Sequence, residues 1–334
     1  MKDKKTTKKS KLVITFICLD VIAIIGLFLT YGPINYFRNL LVTTAMETQS
    51  HHYLAKVFYS DKMIANVLGN NYTENFNNET NPNDIIFSDE DKGQYESIYE
   101  EQILKRDKDA LYKVIDIEGP SYKGHMIAVY DSKRISFVQS RFINVGGQML
   151  TNMVKDFDAS VAINASGFSI SNNVLVPVGS VIIDGKVVKA DNNSPEIIGF
   201  NNDGVLVLTY DKPSEAVKKG MKYGMSFGPF LIVNGKKANM IGNGGSGIAP
   251  RTAIAQRKDG IVLLLTIDGR RAGHSLGIDL NEMTDIFVKY KAYNAANLDG
   301  GGSSSMVVEG EMINIPGGYG YTGSRFIPNA WIVK

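Results

Sequence analysis

From about residue 110 to the C-terminus the chain is written in short apolar runs, each closed by Gly, Asn or Asp. They are "YKVIDIEG", "GHMIAVYD", "RISFVQS", "VAINASGF", "VGSVIIDGKVV", "EIIGFNNDGVLVLTY", "FGPFLIVNGK", "RTAIAQRKDGIVLLLTIDG" and "SSSMVVEGEMINI". Short runs rich in β-branched and aromatic residues, bounded by turn formers, read as β-strands. "NNDG", "RKDG" and "VEGE" read as hairpin turns, because Asn, Asp and Gly accept positive φ. Two stretches break the pattern. "GGQMLTNMVKDF" predicts a short helix. "DLNEMTDIFVKYKAYNA" predicts a longer one, with Leu280, Met283, Ile286, Phe287 and Tyr290 on one stripe and Asp279 as N-cap. The expectation for 110–334 is one α+β domain, a large twisted mixed β-sheet with a few flanking helices. Each predicted helix runs into a strand ending in a polar turn, "VAINASGF" and "AYNAANLDGGGS". If those units are neighbours, Asn164 and Asp299 meet at one sheet edge.

The N-terminal part differs. Leu12–Tyr31 is an apolar stretch of about 20 residues, long enough to cross a hydrocarbon core at 1.5 Å per residue. Lys2, Lys4, Lys5, Lys8, Lys9 and Lys11 precede it, and lysines stay on the cytoplasmic side. The expected anatomy is a basic cytoplasmic tail (1–11) and a single-pass transmembrane anchor (12–31). An amphipathic helical segment (32–68) and a polar linker or extended region (69–109) follow, and the body lies outside the membrane. A cleaved signal peptide is the competing reading, but no small-x-small cleavage site follows the run. Asp20 inside the span carries an insertion cost of roughly 2.5–3.5 kcal/mol that the flanking Ile, Leu and Phe offset.

Composition narrows the function. Taking the six lysines and Asp3 from the 36 basic and 34 acidic residues leaves 30 against 33. The body is therefore near neutral, without the basic face that nucleic-acid binding requires. The single cysteine, Cys18, lies in the apolar span, so the body has no disulfide. His51 and His52 are adjacent and point apart on a helix, which disfavours a metal pair. No Cys/His metal spacing occurs.

The stretch "NLDGGGSSSMVVEG" carries the chemistry. A flexible linker would have polar flanks, whereas both flanks here are strand-like. Asp299 thus closes a strand and Gly300, Gly301 and Gly302 turn the chain. Backbone N–H groups there can approach an anion or a sugar hydroxyl. An ordinary tight turn is the plainer alternative.

Further segments follow in a fixed order: "INASGF" (163–168), "SFGPFLIVNGK" (226–236), "PRTAIAQ" (250–256), "TIDGRRAGHSLGIDLNEMTDIF" (266–287) and "SRFIPNAWIV" (324–333). Together with "NLDGGGSSSMV" this set resembles the phosphodiester glycosidase family over about residues 110–334. That family includes the animal enzyme that uncovers mannose 6-phosphate and bacterial exopolysaccharide-associated proteins. The sequence departs from it at Ala165-Ser166, where two glycines are usual, and at Phe326-Ile327, where a smaller pair is common.

The resemblance implies hydrolysis of a sugar-1-phosphate diester to free sugar and a phosphomonoester. Such chemistry needs a carboxylate at an oxocarbenium-like centre and cations or N–H donors for the anion. Asp299 is the first candidate. Asp268, closing "LLLTIDGR", is the second, although it can equally be a turn former. Arg251 and Arg270 are the candidate phosphate ligands, because a planar fork fits phosphate oxygens. Asn164, Ser303 and Ser304 are candidates for sugar hydroxyls or phosphate, and Gly167, Thr252, Gly300 and Gly301 complete the expected substrate contacts. His274 is either an acid/base or a polar loop residue. Asp268 and Asp299 can share a divalent cation such as Ca²⁺ with backbone carbonyls. Ser303, His274 and Asp268 are the residue types of a serine hydrolase, but no Gly-x-Ser-x-Gly elbow is present. The expected substrate is a sugar-phosphate or glycopolymer at the cell surface. A non-catalytic glycan-binding module and a polysaccharide-assembly protein are the alternatives.

Overall fold

In a computed structural model the chain is described over residues 3–48, 51–88, 93–143, 145–171, 174–317 and 324–334. It divides into two compact units, residues 1–72 with 245–247, and residues 73–244 with 248–334.

The smaller unit begins with the helix Asp3–Tyr31, followed by helices Asn35–Glu47, Tyr53–Lys56 and Asp61–Gly69. Within the first helix, Lys11–Tyr31 is long and apolar enough to cross a membrane, and none of it is buried. The later helices share a small core of Val42, Ala45, Ala55, Tyr59, Ile64 and Val67. Ser60 caps the last of them by accepting a hydrogen bond from the Met63 N–H at 3.3 Å.

The larger unit is α+β, as the sequence implies. Its strands divide among several sheets rather than forming one. The seven-stranded sheet runs in the order 236–237, 230–233, 292–298, 251–257, 262–267, 123–129, 112–118. One five-stranded sheet runs 311–312, 306–308, 161–164, 329–333, 135–139; the other runs 206–209, 197–201, 221–226, 181–183, 186–189. The pairings within these three sheets are antiparallel, the pattern that short hairpin loops favour. The loops at "NNDG", "RKDG" and "VEGE" are hairpin connections, joining 197–201 to 206–209, 251–257 to 262–267 and 306–308 to 311–312.

Period-two alternation explains the layering. Ile127, Val129, Ile254, Val262, Leu264, Ala296 and Leu298 face a core shared with Phe137, Ile163, Met306 and Trp331 of the neighbouring sheet. Met126, Ala128, Ala253, Leu263, Leu265 and Ala295 face the other way, against Met283, Ile286 and Phe287 of the helix Leu280–Lys289. The strands 251–257 and 262–267 are therefore covered on both faces, which is why "IVLLLTI" is apolar but for Thr266. Asp279 closes a capping box with Glu282 at the start of that helix. The other predicted helix is Leu150–Phe157, which buries Leu150, Met153 and Val154 against Ala162, Ala330 and Ile332.

The segment read as a linker is, from residue 73, part of this unit. Thr80 exchanges hydrogen bonds with the backbone of Leu208, its N–H donating at 3.1 Å and its Oγ1 accepting at 3.0 Å. The Ile86 N–H donates to the Lys258 carbonyl. The helix Ile98–Leu104 buries Ile103 and receives hydrogen bonds from Tyr130 and Tyr290 at 2.7 Å each. Polar composition concealed this, because the Asn, Thr and Glu groups serve as partners for strand ends. Residues 89–92 of the segment lie outside the described residues.

Candidate active site

Three neighbouring strands deliver the candidate residues to one end of the seven-stranded sheet. Arg251 pairs with Ile267, and Thr252 pairs with both Thr266 and Leu298. Arg251 thus opens its strand where the flanking strands end in Asp268 and Asp299. Those two strands lie two apart, so the acidic residues are separated by roughly 10 Å at the backbone.

Asn164 is the link between the two sheets. It ends the strand Val161–Asn164 and is buried, and its amide meets three groups. Its Nδ2 donates to the Asp299 carbonyl at 2.6 Å. Its Oδ1 accepts from the Thr252 hydroxyl at 2.8 Å and from the Ser305 N–H at 3.0 Å. The Asp299 N–H donates to the Ala165 carbonyl at 3.0 Å. Both backbone polar groups of Asp299 are therefore held by residues 164–165, while its side chain, in a half-buried residue, is directed elsewhere. The neighbourhood of Asn164 and Asp299 expected from the sequence is found. The amide itself, read as a substrate ligand, is committed to protein partners instead, as is the buried Thr252 hydroxyl.

The glycines earn their places through close approach. A Cβ on Gly300 would lie 2.9 Å from the Pro250 carbonyl oxygen and within 4 Å of Arg251. Gly301 has φ +60° and donates its N–H to that same carbonyl at 2.8 Å. A Cβ on Gly167 would lie 3.0 Å from the Phe227 ring and 4.0 Å from Asp299 Oδ1. Bare backbone at 167 thus leaves room beside the carboxylate, with Phe227 as the adjoining wall. Gly317 joins the two acidic turns, since a Cβ there would lie 3.3 Å from the Gly301 carbonyl oxygen and 3.4 Å from the Gly269 Cα.

Asp268 is buried, and each of its carboxylate oxygens is occupied. Oδ1 accepts from the Ile315 N–H at 3.0 Å, and Oδ2 meets His274 Nε2 at 2.5 Å. His274 is more open, its side chain 28% exposed against 3% for Asp268. The pair is therefore a carboxylate that orients an imidazole, with Nδ1 left for other partners. The sequence allows Asp268 and Asp299 to share a divalent cation with backbone carbonyls. Both oxygens of Asp268 are engaged, and no group of three or more His, Cys, Asp or Glu side chains fit to hold a metal is found among the described residues.

Arg251 is buried beside the glycine corner and donates from Nε to the Ile278 carbonyl at 3.1 Å. Arg270 is exposed and donates to the Ile248 carbonyl at 2.6 Å. Ser303 and Ser304 are buried in the turn that follows the glycines. Ser303 gives its carbonyl to the Ser305 hydroxyl, and the Ser304 hydroxyl has no hydrogen-bond partner among the described residues. Sequence reasoning missed Phe227, Ile315 and Asn297. Asn297 donates to the Gly228 carbonyl at 2.8 Å, and its buried Oδ1 has no partner among the described residues. Asn297 stood inside the "NLDGGGS" stretch, Phe227 inside "SFGPFLIVNGK" and Ile315 at the end of "SSSMVVEGEMINI"; Phe227 and Ile315 lie in loops after strands, where no local pattern shows what they approach.

Known proteins are similar to this chain. Residues 157–334 match the phosphodiester glycosidase (NAGPA) family, a span that holds Asn164, Arg251, Asp268, His274 and Asp299. The SPbeta prophage-derived uncharacterized protein YomE of Bacillus subtilis (strain 168) is 34% identical over 196 residues, 55% of this chain and 30% of that protein. The N-acetylglucosamine-1-phosphodiester alpha-N-acetylglucosaminidase of Bos taurus is 39% identical over 69 residues, 21% of this chain and 13% of that enzyme. The Mus musculus enzyme is 24% identical over 226 residues, 61% of this chain and 43% of that enzyme. The chain thus spans less than half the length of these relatives. The catalytic domain of the zebrafish enzyme of that name has a similar fold, with a TM-score of 0.56 and 21% identity over 69% of this chain and 85% of the domain.

Proposed function

The chain belongs to the phosphodiester glycosidase family, and on that premise we propose that it hydrolyses the glycosidic bond of sugar-1-phosphate diesters. In this reading the substrates are cell-surface glycopolymers and the enzyme is held at the membrane by its N-terminal helix. The observation that carries the catalytic part is the fixing of Asp299 at both its backbone N–H and its carbonyl, with its carboxylate beside Gly167. A carboxylate held in this way can stabilise or attack an oxocarbenium-like anomeric carbon.

In the proposed step the bond between the anomeric carbon and the phosphate oxygen breaks and its electron pair leaves with the phosphate. Water supplies the hydroxyl to the sugar, and the displaced proton leaves through His274, which Asp268 orients. Arg270 and the backbone of the glycine corner supply positive partners for the phosphate, and Arg251 stiffens that corner from beneath. Asn164 and Thr252 act as positioning residues. Two relatives carry names with the same bond type, a sugar-1-phosphodiester.

Placement at the membrane rests on Lys11–Tyr31 and the lysines before it, with the N-terminus cytoplasmic and the body extracytoplasmic. The test is incubation of the full chain in detergent with defined sugar-1-phosphate diesters. Free sugar with phosphomonoester is expected. An alcohol with a sugar phosphate as the only products would move the cleavage to the other side of the phosphate.

A further inference from the structure

We propose that residues 53–58 form an interfacial foot, seated in the lipid headgroup layer of the bilayer that holds Lys11–Tyr31. The inference rests on the membrane reading above and concerns the smaller unit alone. Residues 53–59 continue one helical winding, with the Val57 N–H on the Tyr53 carbonyl and the Tyr59 N–H on the Ala55 carbonyl, both at 2.9 Å. Ala55 and Tyr59 are buried, so one side of the winding is committed to the core. The other side carries Tyr53, Leu54, Val57 and Phe58, which are 56%, 40%, 71% and 43% exposed. Positions i, i+1, i+4 and i+5 share one helix face, so these four side chains form a continuous apolar strip. An exposed face of this kind on a water-surrounded helix is ordinarily polar.

The height of the strip is fixed by the span itself. Tyr59 donates its hydroxyl to the Thr30 carbonyl at 2.9 Å, and Tyr31 donates its hydroxyl to the Phe58 carbonyl at 3.0 Å. The two rings meet edge to face with centroids 6.0 Å apart. Thr30 and Tyr31 are the last residues of the apolar helix, so the strip is tethered at the level where the span leaves the hydrocarbon. That level is where Tyr and other aromatic side chains prefer to sit. Lys56 is exposed on the same segment, and Lys62 is exposed beside Asp61 at the start of the next helix; both lysines suit lipid phosphates. The structure thus assigns the strip an occupant, the boundary of the surrounding bilayer.

The test uses the full chain with Cys18→Ser, reconstituted in phosphatidylcholine–phosphatidylglycerol vesicles. A fluorophore is placed at Val57→Cys in one preparation and at Leu19→Cys in another, and lipids carry quenchers at the headgroup or at the chain centre. The expected result is loss of at least about half the Val57→Cys emission with the headgroup quencher, and quenching of Leu19→Cys by the chain-centre quencher. If the label at 19 is quenched and that at 57 is not, the foot is overturned while the span stands. Quenching at neither position overturns the span and the foot together. A label at 57 that is shielded only at high protein density would give the strip to a second copy and equally overturn the inference.

Discussion

The side-chain amide of Asn164 donates to the backbone carbonyl of Asp299 at 2.6 Å, across 135 residues of sequence and between two separate sheets. The contact uses the backbone carbonyl of Asp299 and so fixes the backbone that carries its carboxylate.

Replacing Asn164 by Ala leaves the Asp299 carbonyl, the Thr252 hydroxyl and the Ser305 N–H without their partner. The expected loss is about 3 kcal/mol of stability, since each unsatisfied buried group costs roughly 1–3 kcal/mol and the site relaxes in part. Activity should fall more than tenfold even at temperatures where the variant is fully folded. Chemical denaturation and initial rates measure the two effects separately.

Asp299→Asn keeps the shape and the backbone contacts. Stability should change by less than about 1 kcal/mol, while kcat falls by on the order of 10³-fold, within the range set by removal of one acid/base group or nucleophile. A melting curve run beside the kinetics separates chemistry from folding.

The glycine corner should respond to a single methyl group. Gly300→Ala places a carbon 2.9 Å from the Pro250 carbonyl oxygen, and backbone must shift to admit it. A cost of about 1–3 kcal/mol is expected. Gly167→Ala meets the Phe227 ring at 3.0 Å and narrows the space beside Asp299. That variant should fold normally and show its effect as a raised KM.

If Asp268 acts by orienting His274, the two substitutions are not additive. Asp268→Asn and His274→Gln should each lower kcat, and the double variant should lose little more than the worse of the two. Independent losses that multiply would separate the roles.

Alkali should destabilise the larger unit in part through Tyr130 and Tyr290; Tyr112 is likewise pushed up to about 12, by burial and its hydrogen bond to Glu309. Burial pushes the Tyr130 phenol up to about 12, although Arg106 and Arg257 draw it down, and burial with Tyr99 and Tyr122 nearby pushes Tyr290 to about 12. The folded chain therefore retains protons that the unfolded chain releases above about pH 10. The stabilising contribution is complete below pH 10 and disappears as pH rises toward 12. Melting temperature measured from pH 8 to 12 should fall more steeply for the parent than for Tyr130→Phe with Tyr290→Phe.

Much of this was legible in the residues. The hairpin turns, the capped helix at Asp279 and the strand ends at Asp268 and Asp299 all follow from local patterns of period and turn chemistry. The nearness of Asn164 and Asp299 followed from two similar helix–strand units. The division of strands among several sheets was not legible, because pairing between distant strands is decided by packing rather than by local propensity. Nor could composition show that 73–109 packs on the body, since its polar side chains pair with strand ends. For Asn164 the sequence could not show the partners: an amide at a strand end suits protein or ligand equally well, and the contacts with Asp299, Thr252 and Ser305 come from distant parts of the chain.

The most direct measurement is product analysis of one defined sugar-1-phosphate diester treated with the parent chain and with Asp299→Ala. The account predicts free sugar and phosphomonoester in equal amounts from the parent, and at least about 10³-fold less of both from the variant. Equal rates from the two proteins would contradict it.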